Sequence, residues 1–124
     1  MIEIGQVLTK KFIVKEVDLA SNIGSGDLPV LATPVLLNFF ENTCKELLSL
    51  YLTEEDTSVG VFASFDHVAP SKQGDVICIN VKVINIEKRV VSFSIEAFDG
   101  DKLISSGNHK RCIVNKERFL TKLQ

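Results

Sequence analysis

The sequence predicts an α+β fold in which one long helix is wrapped by a curved antiparallel β-sheet. Two patterns point there. Ala32 to Leu52, ATPVLLNFFENTCKELLSLYL, repeats its apolar residues at helical spacing, and four runs with period-two alternation follow it almost without interruption. One helix among several strands cannot cover both faces of a sheet, which excludes a doubly wound arrangement.

Taken in order, Val7 to Val17 mixes β-branched and basic residues and reads as a first strand. Ser21 to Pro29, SNIGSGDLP, concentrates turn formers and reads as a loop, either a lid beside the helix or a plain connector. Thr33 followed by Pro34 predicts the helix start, as an N-cap oxygen and a residue preset for the first helical position. Within the helix, Leu37, Glu41, Cys44 and Leu48 fall on one line, Leu36, Phe40, Thr43, Leu47 and Leu50 on a neighbouring one, and Asn38, Asn42, Lys45 and Ser49 on the polar side. Glu41 therefore sits at the border of the buried face, where an ionised carboxylate is costly unless a partner or a task is supplied.

Beyond an acidic turn at Thr53 to Thr57, the predicted strands are Val59 to Ala69, Asp75 to Ile86, Arg89 to Phe98 and Lys102 to Val114. In the first of them Val61, Ala63, Phe65, His67 and Ala69 would share a face, with His67 ending an apolar row. Ile77, Ile79, Val81 and Val83, then Val91, Phe93, Ile95 and Ala97, mark the inward faces of the next two. Asp99-Gly100 signals a hairpin, and Asn115 to Leu123 closes the chain as a short helix or an extended tail. Joined by short turns, these strands predict a meander, and its uncovered edges favour pairing with a second copy in a two-fold dimer.

Length and charge narrow the classes. A chain of 124 residues suits a single domain, 1–124. A net charge of −2 without a Lys/Arg block gives no footprint for nucleic acid or for an anionic membrane. No basic, apolar leader and no membrane-length run is present, so a cytoplasmic protein is expected. Cys44, Cys78 and Cys112 form no CxxC pair and have no His at ligand spacing, so neither a disulfide framework nor a metal site is predicted, and no cofactor is called for.

One constellation spans nearly the whole chain. Ala32-Thr33 lies on the helix with Glu41 eight residues after Thr33. Ser58-Val59-Gly60 ends nineteen residues beyond Glu41, His67 lies twenty-six beyond it, and Ser106-Gly107-Asn108-His109-Lys110-Arg111 comes near the end. This pattern resembles the fluoroacetyl-CoA thioesterase group of the hotdog-fold thioesterases. The resemblance implies a hotdog fold and an acyl-CoA substrate, with Thr33, Glu41 and His67 as the catalytic set, Gly60 lining the acyl pocket and Arg111 near the site.

The residue types suit that chemistry. A carboxylate can attack a thioester carbonyl or deprotonate an attacking water, an imidazole exchanges protons near neutrality, and a glycine or a helix N-terminus can offer close N–H donors. Where that group carries an aromatic lid, this chain has Asp27-Leu28-Pro29, so a generic acyl-CoA replaces fluoroacetyl-CoA as the expected substrate. The competing reading is a non-catalytic CoA- or acyl-binding hotdog module; hydratase chemistry is disfavoured for want of a helix-borne Asp and His. A homodimer is expected, with pairing of dimers into tetramers left open. Read alone, His109 belongs with the residues that face water or pair with an acid.

Overall fold

The computed structural model describes residues 1–124. Strands β1 (Val7–Ile13), β2 (Asp56–Phe65), β3 (Val76–Glu87), β4 (Val90–Asp99) and β5 (Lys102–Asn115) form one antiparallel sheet in the order β1-β3-β4-β5-β2. Helix α1 (Ala20–Ile23) is a single turn, α2 (Thr33–Ser49) is the long helix, and α3 (Lys116–Thr121) closes the chain.

The inward rows lie where alternation puts them. Ile77, Ile79, Val81 and Val83 of β3 and Val91, Phe93, Ile95 and Ala97 of β4 are all buried against α2 residues Leu36, Phe39, Phe40, Cys44, Leu47 and Leu48. Each large apolar side chain so removed from water contributes roughly 1.5–3 kcal/mol before entropy is set against it. Phe40, fully buried, meets Phe65 edge to face at 5.6 Å. Phe39 stacks on Phe12 of β1 at 4.3 Å, fixing the other side of the helix.

Several expectations change, and among the smaller ones Ser21 to Ile23 belong to α1 and Asp56 and Thr57 to β2. The first strand stops at Ile13, because Val14 leaves the ladder to bond Gly74 and Asp75 and the Asp18 carboxylate accepts from the Lys15 N–H at 2.9 Å, bending the chain into a 3-10 turn. The helix runs from Thr33 to Ser49, with Ala32 as its N-cap and no capping side chain; the Thr33 hydroxyl is engaged elsewhere. The four later strands do not form a simple meander: β3, β4 and β5 do, but β2 crosses to the far side of β5 and becomes an edge. Finally, β2 ends at Phe65, so His67 lies beyond the strand.

The edge strand carries a bulge. Gly60 pairs with Arg111 and Phe62 with Lys110, leaving Val61 as the extra residue. A bulge reverses the alternation that follows it. Ser58 and Gly60 face the helix before it and Phe65 does after it, while Val61 (55% exposed) and Phe62 (48%) face out. The outer rim of β2 has no strand beside it within the chain.

Candidate active site

Helix α2 presents two polar side chains toward β2, eight residues and therefore about 12 Å apart at about 1.5 Å of rise per residue. Each meets a different group of partners.

At the N-terminal end, Thr33 Oγ1 lies 2.8 Å from His67 Nδ1. His67 is held there by its neighbours: the Asp66 N–H donates to the Ser106 carbonyl at 3.1 Å, the Asp66 carboxylate accepts from the Ser106 N–H at 2.9 Å, its carbonyl accepts from the Ser105 hydroxyl at 2.6 Å, and the Val68 N–H reaches the Ile104 carbonyl at 2.8 Å. The imidazole is thus clamped from both sides. Its Nε2 is buried and has no partner within the chain. Burial holds the His67 pKa below its ordinary 6.5, with Asp66 acting in the opposite sense, so the ring is neutral at pH 7. A cleft of about 320 Å³ opens beside this pair, lined in part by Val30, Pro34, Val68 and Ala69. The first turn of α2 contributes few free amides: Pro34 has none, and the N–H groups of Val35 and Leu36 are taken by the Ala32 carbonyl.

In the middle of α2, Glu41 reaches Gly60. A Cβ built at Gly60 would stand 2.5 Å from Glu41 Oε2, closer than real side chains approach, so a glycine is required for the carboxylate to lie where it does. Arg111 Nη1 is 3.6 Å from the same oxygen, an ion pair beyond hydrogen-bond range, with the guanidinium side chain 7% and the carboxylate 40% exposed. Ser58 holds the guanidinium, its hydroxyl accepting from Nε at 2.8 Å and its carbonyl from Nη2 at 2.9 Å. Burial lowers the Arg111 pKa, while Glu41 and Cys44 raise it. Cys44, one turn further on and fully buried, has its thiol pushed well above the usual range by that burial.

The structure thus brings Thr33 to His67, and Glu41 to Gly60 and Arg111, but it does not join the two groups within one chain. It adds two residues. Ser58 and His109 are both buried beside Arg111, and His109 bonds a carbonyl and a guanidinium, which overturns the expectation that it faces water or pairs with an acid. The available signal was parity: on one strand His109 and Arg111 share a face with Ile113, which packs on the core.

Comparison with known proteins bears on the assignment. The sequence profile of the fluoroacetyl-CoA-specific thioesterase family matches residues 14–117. The chain belongs to that family. Membership makes it a thioester hydrolase. The fluoroacetyl-CoA thioesterase of Streptantibioticus cattleyicolor is 27% identical over 95 residues, which is 77% of this chain and 68% of that protein. Among solved structures, a phenylalanine-to-alanine variant of a fluoroacetyl-CoA-specific thioesterase, in complex with fluoroacetate and CoA, superposes with a TM-score of 0.88 at 24% identity, covering 95% of this chain and 99% of that one. A Thermus thermophilus protein described as a thioesterase superfamily member does so with 0.90 at 19% identity, covering 99% and 91%. The likenesses to solved structures establish the hotdog fold.

Proposed function

We propose that this thioesterase hydrolyses an acyl-CoA, with Glu41 as its nucleophile or general base, Thr33 and His67 assisting, and Gly60 and Arg111 forming the floor of the site. The observation that carries the reading is the Glu41 carboxylate, seated on a glycine and against a buried guanidinium in a chain of this family. The overall change is addition of water across the carbonyl–sulfur bond, giving a carboxylate and CoA thiol. Glu41 either adds to the carbonyl carbon, expelling the thiolate and leaving an anhydride that water opens, or takes a proton from the water that attacks. His67, neutral at pH 7, accepts and releases a proton through its unpartnered Nε2, and the Thr33 hydroxyl fixes the ring.

The working unit of the proposal is a homodimer. Thr33, which holds His67, and Glu41 lie on different stretches of α2, and Glu41 is too exposed in one chain for the dry surroundings that strengthen charge stabilisation. The bare rim of β2, with Val61 and Phe62 exposed, supports two-fold strand pairing, which would set the Thr33–His67 pair of one copy near Glu41 of the other. The substrate is left as a generic acyl-CoA, since the lid region offers only Asp27-Leu28-Pro29, with Leu28 67% exposed.

Thiol release from acetyl-CoA, octanoyl-CoA and benzoyl-CoA tests the reading. Glu41→Gln is expected to lower kcat by about 100-fold or more with the melting temperature kept, in the range found when an essential proton-transfer group is removed. Turnover by that variant equal to wild type on all three substrates would falsify the role of Glu41.

A further inference from the structure

One buried imidazole takes no part in this reaction. His109, 1% exposed, lies under the Glu41–Arg111 pair. Its Nδ1 is 2.7 Å from the Phe62 carbonyl and its Nε2 is 3.1 Å from Arg111 Nη1. A carbonyl only accepts and a guanidinium only donates, so Nδ1 carries the proton and Nε2 offers its lone pair. One neutral tautomer fits both bonds.

The position of these bonds matters more than their number. Ser58 grips the Nε and Nη2 side of the guanidinium; His109 engages Nη1, the nitrogen nearest Glu41. Nη1 therefore rests 3.1 Å from an imidazole and 3.6 Å from a carboxylate, bonded to the first and merely paired with the second. Were the imidazole acceptor absent, Nη1 would be free to bond the Glu41 carboxylate 3.6 Å away. A carboxylate taken into a close guanidinium hydrogen bond has fewer lone pairs for an incoming carbonyl or water. At its other end His109 ties the same guanidinium to Phe62, the residue after the bulge whose glycine admits Glu41.

From this geometry we infer that His109 is a positioning residue, which holds Arg111 at ion-pair distance and so leaves the Glu41 carboxylate free to react. The inference rests on the reading of Glu41 given above. It assigns His109 a role through Arg111, without contact to the substrate.

The test uses two amides that each keep half of the imidazole. Asn places an N–H near the position of Nδ1 and satisfies Phe62 but is too short to accept from Arg111; Gln reaches Arg111 with its oxygen. His109→Asn is expected to lower kcat on the best of the three acyl-CoAs by roughly 10- to 100-fold, the scale of a misplaced reacting group, with KM within about twofold. His109→Gln should return kcat to within about threefold of wild type, and in an Arg111→Met background His109→Asn should cost less than about twofold more. Equal losses with and without Arg111, a Gln variant no better than Asn, or a change confined to KM would each overturn the proposal. So would nitrogen NMR of the wild-type protein at pH 7 showing the Nε2–H tautomer or an imidazolium at His109, a measurement that does not depend on any variant folding. Glu41→Gln measured alongside separates the two layers. Full turnover there removes the reading of Glu41 and this proposal with it, whereas an inert Glu41→Gln beside a wild-type-like His109→Asn removes this proposal alone.

Discussion

Both histidines are held neutral by burial, and that has a consequence for stability. Each has a folded-state pKa below its ordinary 6.5. The charged groups that act on His109 are Arg111 on its own strand, which lowers its pKa, and Glu41 from α2, which raises it. From β4 the Phe93 ring packs against it, and from β2 comes the Phe62 carbonyl. Between the folded value and 6.5 the unfolded chain binds more protons than the native one, so stability is complete above about pH 6.5 and is lost as pH falls below it. The slope is at most about 1.4 kcal/mol per pH unit for each histidine. Denaturant melts at pH 7.5 and 5.5 are expected to show the loss, and His109→Gln should flatten it. An unchanged slope in that variant would mean that His109 is protonated alike in both states.

The element that sets the site is β2. Its ladder with β5 carries Gly60 to Glu41 and, through Asp66, His67 to Thr33. Close strand approach at the His67 end depends on Gly107, where a Cβ would strike the backbone of Ser64 and Phe65. Backbone atoms have no rotamer to retreat into, so Gly107→Ala is expected to push this end of β2 away and cost about 1–3 kcal/mol, the usual range for overpacking. Amide hydrogen exchange would show faster exchange from Phe65 to Val68 than in β3 or β4. Uniform protection across all strands would refute the account. Much of this element escaped the alternation rule because the extra residue at Val61 shifts its parity, and the one local sign of it is Gly60, an isolated glycine within a strand pattern. The rows of β3 are different: residues 77 to 83 keep strict period two and each inward member is buried.

At the scale of the whole molecule, the site depends on how many chains build it. A lone chain separates Thr33–His67 from Glu41 by about 12 Å of helix and leaves the β2 rim unpaired. A charge placed on an edge strand is a natural device against strand pairing. Val61→Lys, on the exposed bulge residue, is therefore expected to convert a dimer to monomers in light scattering, to leave the far-UV spectrum unchanged, and to lower kcat at least tenfold. A monomeric variant with full turnover would show that one chain suffices. No helix here is long and apolar enough to cross a membrane.

The sequence alone determined what is local. Helical spacing located α2 and period two located β3 and β4, because each is written in neighbouring positions of the chain, whereas Thr33, Glu41, Gly60, His67 and Arg111 were named by the family resemblance that their order along the whole chain carries. Tertiary structure decided what is paired. Which strand lies beside β2, how far Thr33–His67 stands from Glu41, and whether His109 faces water or a guanidinium all depend on contacts between residues far apart in sequence. Alternation gives a side chain its face of the sheet, but not the neighbour it meets there.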